Sequence, residues 1–250
     1  MSTFRDTVQA GTISDAWLKA VELVGGLPGR STFHLVVRID EPARETNTIR
    51  TAADLLLQGL RLPRITTVRN TIFPNEVAKR FPEPADLSAY YRHRYPSICR
   101  FNRRGTYFGR LVSLPDGDGP PIDQLSNVVD KLRRRSRRRM TSRYELNMYL
   151  AAVDRNVALG FPCLSGCALH LDGETLHMCA QYRNQYLVER GYGNYLGLGQ
   201  LLSYVCGATS LTVGELLIVA GHAQVDHASR KRIVQLLHAR ERAGDRVERG

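Results

Sequence analysis

Cys163, behind Pro162, and Arg183, at the far end of the same stretch, are the two residues of this sequence best suited to act together. A cysteine thiolate is a nucleophile, and a nearby cation favours it over the thiol, lowering the pKa from ~8.5. Arginine does this without titrating itself. Between the two, residues 165–182 alternate imperfectly around Asp172-Gly173, a strong hairpin signal. Folding the chain at that turn makes Leu171 face Glu174 and carries Cys163 opposite Tyr182 or Arg183. The plainer reading is a small buried cysteine and a solvated strand-end arginine. Cys167, Cys179 and Cys206 are read in that plain way. A zinc site from Cys163, Cys167, His170, His177 and Cys179 is set aside, because strand alternation splits these residues between two faces.

The elements around this hairpin follow from periodicity. Residues 14–24 (SDAWLKAVELV) have helical spacing, with Ser14 or Asp15 as cap and Gly25-Gly26 as stop. Residues 33–39 (FHLVVRI) read as a strand and 49–60 as a second helix. Residues 122–132 place Ile122, Leu125, Val128, Val129 and Leu132 on one face of a helix that runs into the basic stretch 133–139. Residues 195–206 are apolar nearly all round and predict a buried helix stopped by Gly207. Residues 216–220 predict a central strand, and 229–242 a last amphipathic helix.

With 250 residues and 43% hydrophobic content, the chain can bury the core of one sizeable domain or two small ones. No apolar run approaches the ~20 residues that span a bilayer, and the N-terminus lacks a secretory pattern. Five cysteines without framework spacing fit a reducing compartment, so a cytoplasmic protein is expected. The net charge of +11 suits either nucleic acid or phosphate-bearing small molecules.

Pro162-Cys163, the alternating hairpin, Arg183, Asn194 and the buried helix occur in an order that resembles thymidylate synthase and its pyrimidine nucleotide hydroxymethylase relatives. Upstream, Asp123-Gln124 and Ser136-Arg137-Arg138 match that family's Asp-Gln helix and Ser-Arg-Arg turn. The resemblance covers about residues 104–237. It implies an α+β fold: one thymidylate-synthase-like domain over 1–250, with a twisted mixed sheet flanked by helices. It also implies a cysteine that adds to C6 of a pyrimidine nucleotide and makes C5 nucleophilic toward a one-carbon unit. By carry-over, Cys163 is the nucleophile, Arg183 a phosphate ligand and thiolate stabiliser, and Asn194 a base-edge ligand. Arg137 and Arg138 reach the partner subunit's phosphate in a homodimer. Methylenetetrahydrofolate is the implied one-carbon donor, and no metal is implied.

The sequence also departs from that family. Leu164 follows the cysteine where a histidine is expected, and Asn184 replaces a serine after the arginine, still able to donate to phosphate. Tyr186 stands where an aspartate is expected, and Arg190 where a glycine lies near the pterin. Gln224 and Asp226 align with the pair that reads the ribose. These changes point to a specialised modified-nucleoside pathway rather than housekeeping dTMP synthesis. Tyr107 matches a family tyrosine beside the nucleophile only with a one-residue slip; otherwise Phe108 takes its place. His222 is a candidate for a catalytic or ligand role. Folate-independent chemistry, and a non-catalytic nucleotide- or nucleic-acid-binding protein, are the other readings of these residues.

Overall fold

The computed structural model describes residues 6–134, 144–156, 161–228 and 231–232. Strand β1 (Thr7–Thr12) leads into helix α1 (Ile13–Gly26), then strand β2 (Ser31–Glu41) and helix α2 (Asn47–Gly59). Three helices follow, α3 (Ile65–Ile72), α4 (Asn75–Ala78) and α5 (Pro84–Cys99). Next come helix α6 (Tyr107–Val112), a small hairpin of β3 (Leu114–Asp116) and β4 (Gly119–Ile122), and helix α7 (Gln124–Arg133). Strand β5 (Tyr144–Asn147) and helix α8 (Ala151–Asp154) precede the hairpin of β6 (Leu164–Asp172) and β7 (Thr175–Tyr182). Strand β8 (Gln185–Tyr186), a π-helical turn (Leu187–Gly191), helix α9 (Tyr192–Thr209) and strand β9 (Thr212–Gln224) complete the order.

The architecture is α+β. Seven strands form one mixed sheet in the order β1-β2-β9-β7-β6-β5, with β8 also pairing β9. Strand β9 runs antiparallel to β2 and parallel to β7 and β8, so it is central, as its apolar run predicts. Its residues alternate: Leu216, Ile218 and Ala220 are fully buried against the helices, while Leu217 and Val219 on the opposite face are half-buried. On that second face, Val36 lies beside Val219, and Leu217 lies beside Cys179, which is followed by Ala168. None of the described helices is long and apolar enough to cross a membrane.

Several expected boundaries move, each for a local reason. Thr12 rather than Ser14 or Asp15 caps α1: its hydroxyl accepts from the Asp15 amide. The Ser14 hydroxyl is buried, 2.8 Å from the Tyr192 hydroxyl and accepting from Thr46 N. Helix α7 starts at Gln124 because Asp123 caps it, accepting from Ser126 N, and Ile122 belongs to β4. Helix α9 runs through Gly207 to Thr209 and ends at Ser210, which takes the left-handed conformation (φ 54°). Gly193 on α9 has a specific task. A Cβ there would lie 2.6 Å from the Val68 side chain and 2.9 Å from the Ile65 carbonyl, so α3 crosses α9 closely only because Gly193 has none. The expected helix 229–242 lies outside the described residues, apart from 231–232.

Candidate active site

The β6–β7 turn is one residue later than expected. Asp172 pairs with Thr175 and Leu171 with Leu176, so Gly173 (φ 59°) and Glu174 form the turn. Left alone, that shift would move Cys163 past Arg183. A bulge corrects it: Leu164 pairs with Tyr182 but Gly166 with Gln181, leaving Ser165 as an extra residue in β6. Its carbonyl accepts from Met148 N and Tyr149 N. The result is the expected neighbour, with Arg183 N donating to the Cys163 carbonyl at 2.9 Å. In the same register, Cys167 pairs with Ala180 and Ala168 with Cys179, which sets Cys167 and Cys179 on opposite faces.

Arg183 and Asn184 sit in a break between β7 and β8. The pairing with β9 keeps its register across the break, from Tyr182 with Ala220 to Gln185 with Ala223. The break faces Gly221, where a Cβ would come within 3.2 Å of the Arg183 carbonyl. Next to it, His222 Nδ1 lies 2.7 Å from Asn184 Oδ1, and the His222 ring packs on Phe33 with centroids 5.2 Å apart. His222 is thus a support for Asn184 and is not among the described residues lining the adjacent cavity.

That cavity, about 610 Å³, is bounded by Val68 and Thr71 of α3, the 100–107 segment, Phe161, Cys163, the 184–190 segment and Asn194 of α9. It is large enough for a nucleotide-sized ligand. The Cys163 thiol is half-buried in its wall. Burial pushes that thiol up, and the charge and hydrogen bond of Arg183, with the charge of Arg190, offset part of the effect. The expected guanidinium partner is present, but desolvation outweighs it. Iodoacetamide alkylation of Cys163, followed by peptide mapping, should therefore show a midpoint above the ~8.5 of a free thiol. Arg183→Gln should move it higher still; an unchanged midpoint would remove Arg183 from the thiol's environment.

Tyr107, not Phe108, stands by Cys163. Its hydroxyl accepts from Cys163 N at 3.1 Å and Leu164 N at 3.3 Å, while Phe108 is fully buried in the core. Burial, followed by the nearby Cys163 thiol, pushes the Tyr107 phenol up to about 12. A second brace holds the approach to Cys163. Arg110 makes a two-pronged ion pair with Asp154 (2.5 and 2.8 Å), donates to the Met148 carbonyl, and lies 4.7 Å over the Phe161 ring.

Asn194 is only 6% exposed and lines the cavity, and among the described residues its carboxamide has no hydrogen-bond partner. Buried amides are normally paired, so this one is left for a ligand. Gln185, which periodicity did not single out, joins the wall: its Oε1 accepts from the Tyr195 hydroxyl, and its Nε2 is buried without a partner.

Other expected site residues fall elsewhere. Arg183 is not among the described cavity-lining residues; it meets the site through the sulfur, and Arg190 offers the lining guanidinium instead. Gln224 ends β9 away from the lining. Asp226 turns its carboxylate onto Val188 N and Glu189 N, at the start of the π-helical turn, so it holds that turn rather than a sugar. Glu189, Asp226 and His227 bring possible metal ligands within 4.8 Å of one another. Both carboxylates are already engaged, Asp226 by those amides and Glu189 by Arg190. Arg137 and Arg138 lie outside the described residues. Sequence reasoning also missed Val68, Thr71 and the 100–104 loop; for the loop an aromatic among arginines, RFNRR, was the available signal.

Compared with family models the chain has no match, and compared with curated proteins it has none either.

Proposed function

We propose that the protein is a thiol-dependent enzyme acting at C5 of a pyrimidine nucleotide, on a thymidylate-synthase-like fold. The observation that carries this reading is that one cavity is lined both by a half-buried Cys163, whose thiol is hydrogen-bonded by Arg183, and by Asn194, a 6%-exposed residue whose carboxamide has no partner among the described residues. An alkene carbon is a poor nucleophile. Addition of the Cys163 sulfur to C6 makes C5 electron-rich, so that it can take a one-carbon electrophile, methyl or hydroxymethyl in oxidation level. Loss of the C5 proton and expulsion of the thiolate then restore the ring. Asn194 and Gln185 suit the base edge, and Asn184 with Arg100 or Arg103 suits an anionic group.

The folate side fits less well. Tyr186 and Arg190 both line the cavity, where the resemblance expects an aspartate and a glycine. Arg190, paired with Glu189, lines the cavity at the position where the resemblance expects a glycine beside the pterin, so no step is drawn through a folate. The test is C5 hydrogen exchange: UMP, CMP and their deoxy forms, labelled with tritium at C5, are incubated with the protein with and without methylenetetrahydrofolate. Release from one of them supports the reading, and release from none overturns it.

A homodimer belongs to the same proposal, since the half-covered sheet face of Val36, Leu217 and Val219 offers an apolar patch to a second copy. Sedimentation at micromolar concentration should show a dimer. Leu217→Asp, which puts a charge into the patch, should weaken it roughly thirtyfold or more. A monomeric wild-type protein would end this part of the proposal. In the cell, a soluble cytoplasmic enzyme fits a substrate of this kind.

A further inference from the structure

Resting on the thiol reading above, we infer that the pyrimidine reaches Cys163 as one residue of a single-stranded polynucleotide, with Phe101 and the arginines around it forming the strand's track. Four arginines line the cavity, Arg100, Arg103, Arg104 and Arg190, whereas Glu189 is the one carboxylate among the described lining residues. A nucleoside monophosphate brings at most two negative charges, and Arg183 behind the thiol adds a further cation. Arg190 is neutralised by Glu189. Arg100 and Arg103 are exposed and make no ion pair with another described residue. The mouth therefore carries more positive charge than a free mononucleotide can use.

Charge alone would also fit a nucleoside triphosphate. Phe101 decides between them. Its ring lines the same mouth and is 90% exposed, the most exposed large apolar side chain among the described residues. A triphosphate has no use for such a ring, but a neighbouring base does: aromatic side chains interleaved with cations are how single strands are held without sequence preference. The loop that presents it is fixed at both ends. Phe101 N and Asn102 N donate to the Ile98 carbonyl, Gly105 N donates to the Asn102 carbonyl, and Thr106 caps α6 by accepting from Gly109 N. Gly105 holds a positive φ of 88° there, and a Cβ on it would meet the Tyr95 hydroxyl at 2.6 Å. A base unstacked from a single strand costs little to present, so an enclosed cavity beside such a track suits it.

The test uses the full-length protein and a single-stranded 12-mer with one central C5-bearing pyrimidine, in ribose and deoxyribose forms, against the matching mononucleotides. C5 exchange is followed in deuterated water by mass spectrometry. The chemistry balances with water alone: the C6–S bond forms, C5 takes a deuteron, then C5 loses its original proton and the thiolate leaves. At low salt kcat/KM should be at least tenfold higher for the strand. Phe101→Ala should lower it about tenfold for the strand and by a clearly smaller factor for the mononucleotide. Arg103→Gln should reduce the slope of log affinity against log salt by about 0.7, measured by fluorescence anisotropy with the labelled strand. Equal exchange in strand and mononucleotide, or an equal loss in both on Phe101→Ala, overturns the inference and leaves the thiol reading intact. Strand binding without any exchange overturns the thiol reading, and the substrate claim with it. Absence of strand binding at low salt overturns the inference whatever the chemistry does.

Discussion

Cys163→Ser is expected to abolish C5 exchange, by a factor on the order of 10⁴ or more, while the protein stays folded and still binds nucleotide. Removing a covalent nucleophile eliminates the intermediate itself rather than one stabilising contact, so the loss is far larger than for any single binding group. A serine hydroxyl is much less ionised near neutral pH than even a thiol held up by burial. The backbone at 163 is held by Tyr107 and by the Arg183 amide, neither of which uses the sulfur, so folding should be little affected. Thermal melting with and without nucleotide supplies the second readout. A ligand at a hundred times its Kd should add ~2.7 kcal/mol to both proteins. If the serine variant exchanges C5 hydrogen at a rate within tenfold of wild type, Cys163 is not the nucleophile. If it exchanges none but also loses ligand stabilisation, Cys163 acts in binding.

Asp154→Ala is expected to be the most destabilising single change near the site, by about 3–5 kcal/mol, because it leaves the largely buried Arg110 without its counter-charge. Asp154 is 3% exposed. Burial opposes its ionisation, but the hydrogen bonds of Arg110 and Leu150 N and the charge of Arg110 outweigh this and hold it below the usual carboxylate range. A carboxylate depressed in the folded state contributes stability that is full above the unfolded pKa, ~3.9, and is lost as pH falls through the lower folded value. Urea unfolding at pH 7 should thus show the whole difference between wild type and variant, narrowing only below about pH 4. The double variant Arg110→Leu with Asp154→Ala should recover part of the loss. An Asp154→Ala midpoint equal to wild type would show that the brace holds nothing.

The sequence made the hairpin legible because its signals are local: alternation and an Asp-Gly turn say where two strands meet. It placed the turn a residue early, and the Ser165 bulge, which no alternation announces, restored the pairing of Cys163 with Arg183. Helix α9 was legible for a similar reason, since an all-apolar helix must be buried. Its end was not, because Gly207 only permits a stop, whereas Ser210 is held in the left-handed conformation that makes one. The cavity was legible in part. Cys163, Asn184 and Asn194 were singled out in advance, and all three line it. Val68, Thr71 and Phe101 come from segments far apart in the chain from Cys163, joined only when α3 crosses α9 and Tyr107 packs on Phe161. Nothing local marks such a meeting. Asp226 shows the converse: a carboxylate that the resemblance aligns with a sugar reader accepts from two backbone amides.

Because the ladder with β9 runs in one register on both sides of the Arg183–Asn184 gap, the flanking strands clamp those two positions without depending on their side chains. The gap behaves as a cassette in a fixed frame. Lineages, or a saturation library, can exchange what it holds and try new ligands while the scaffold goes on folding, so preference for substrate should drift faster than architecture in proteins built this way.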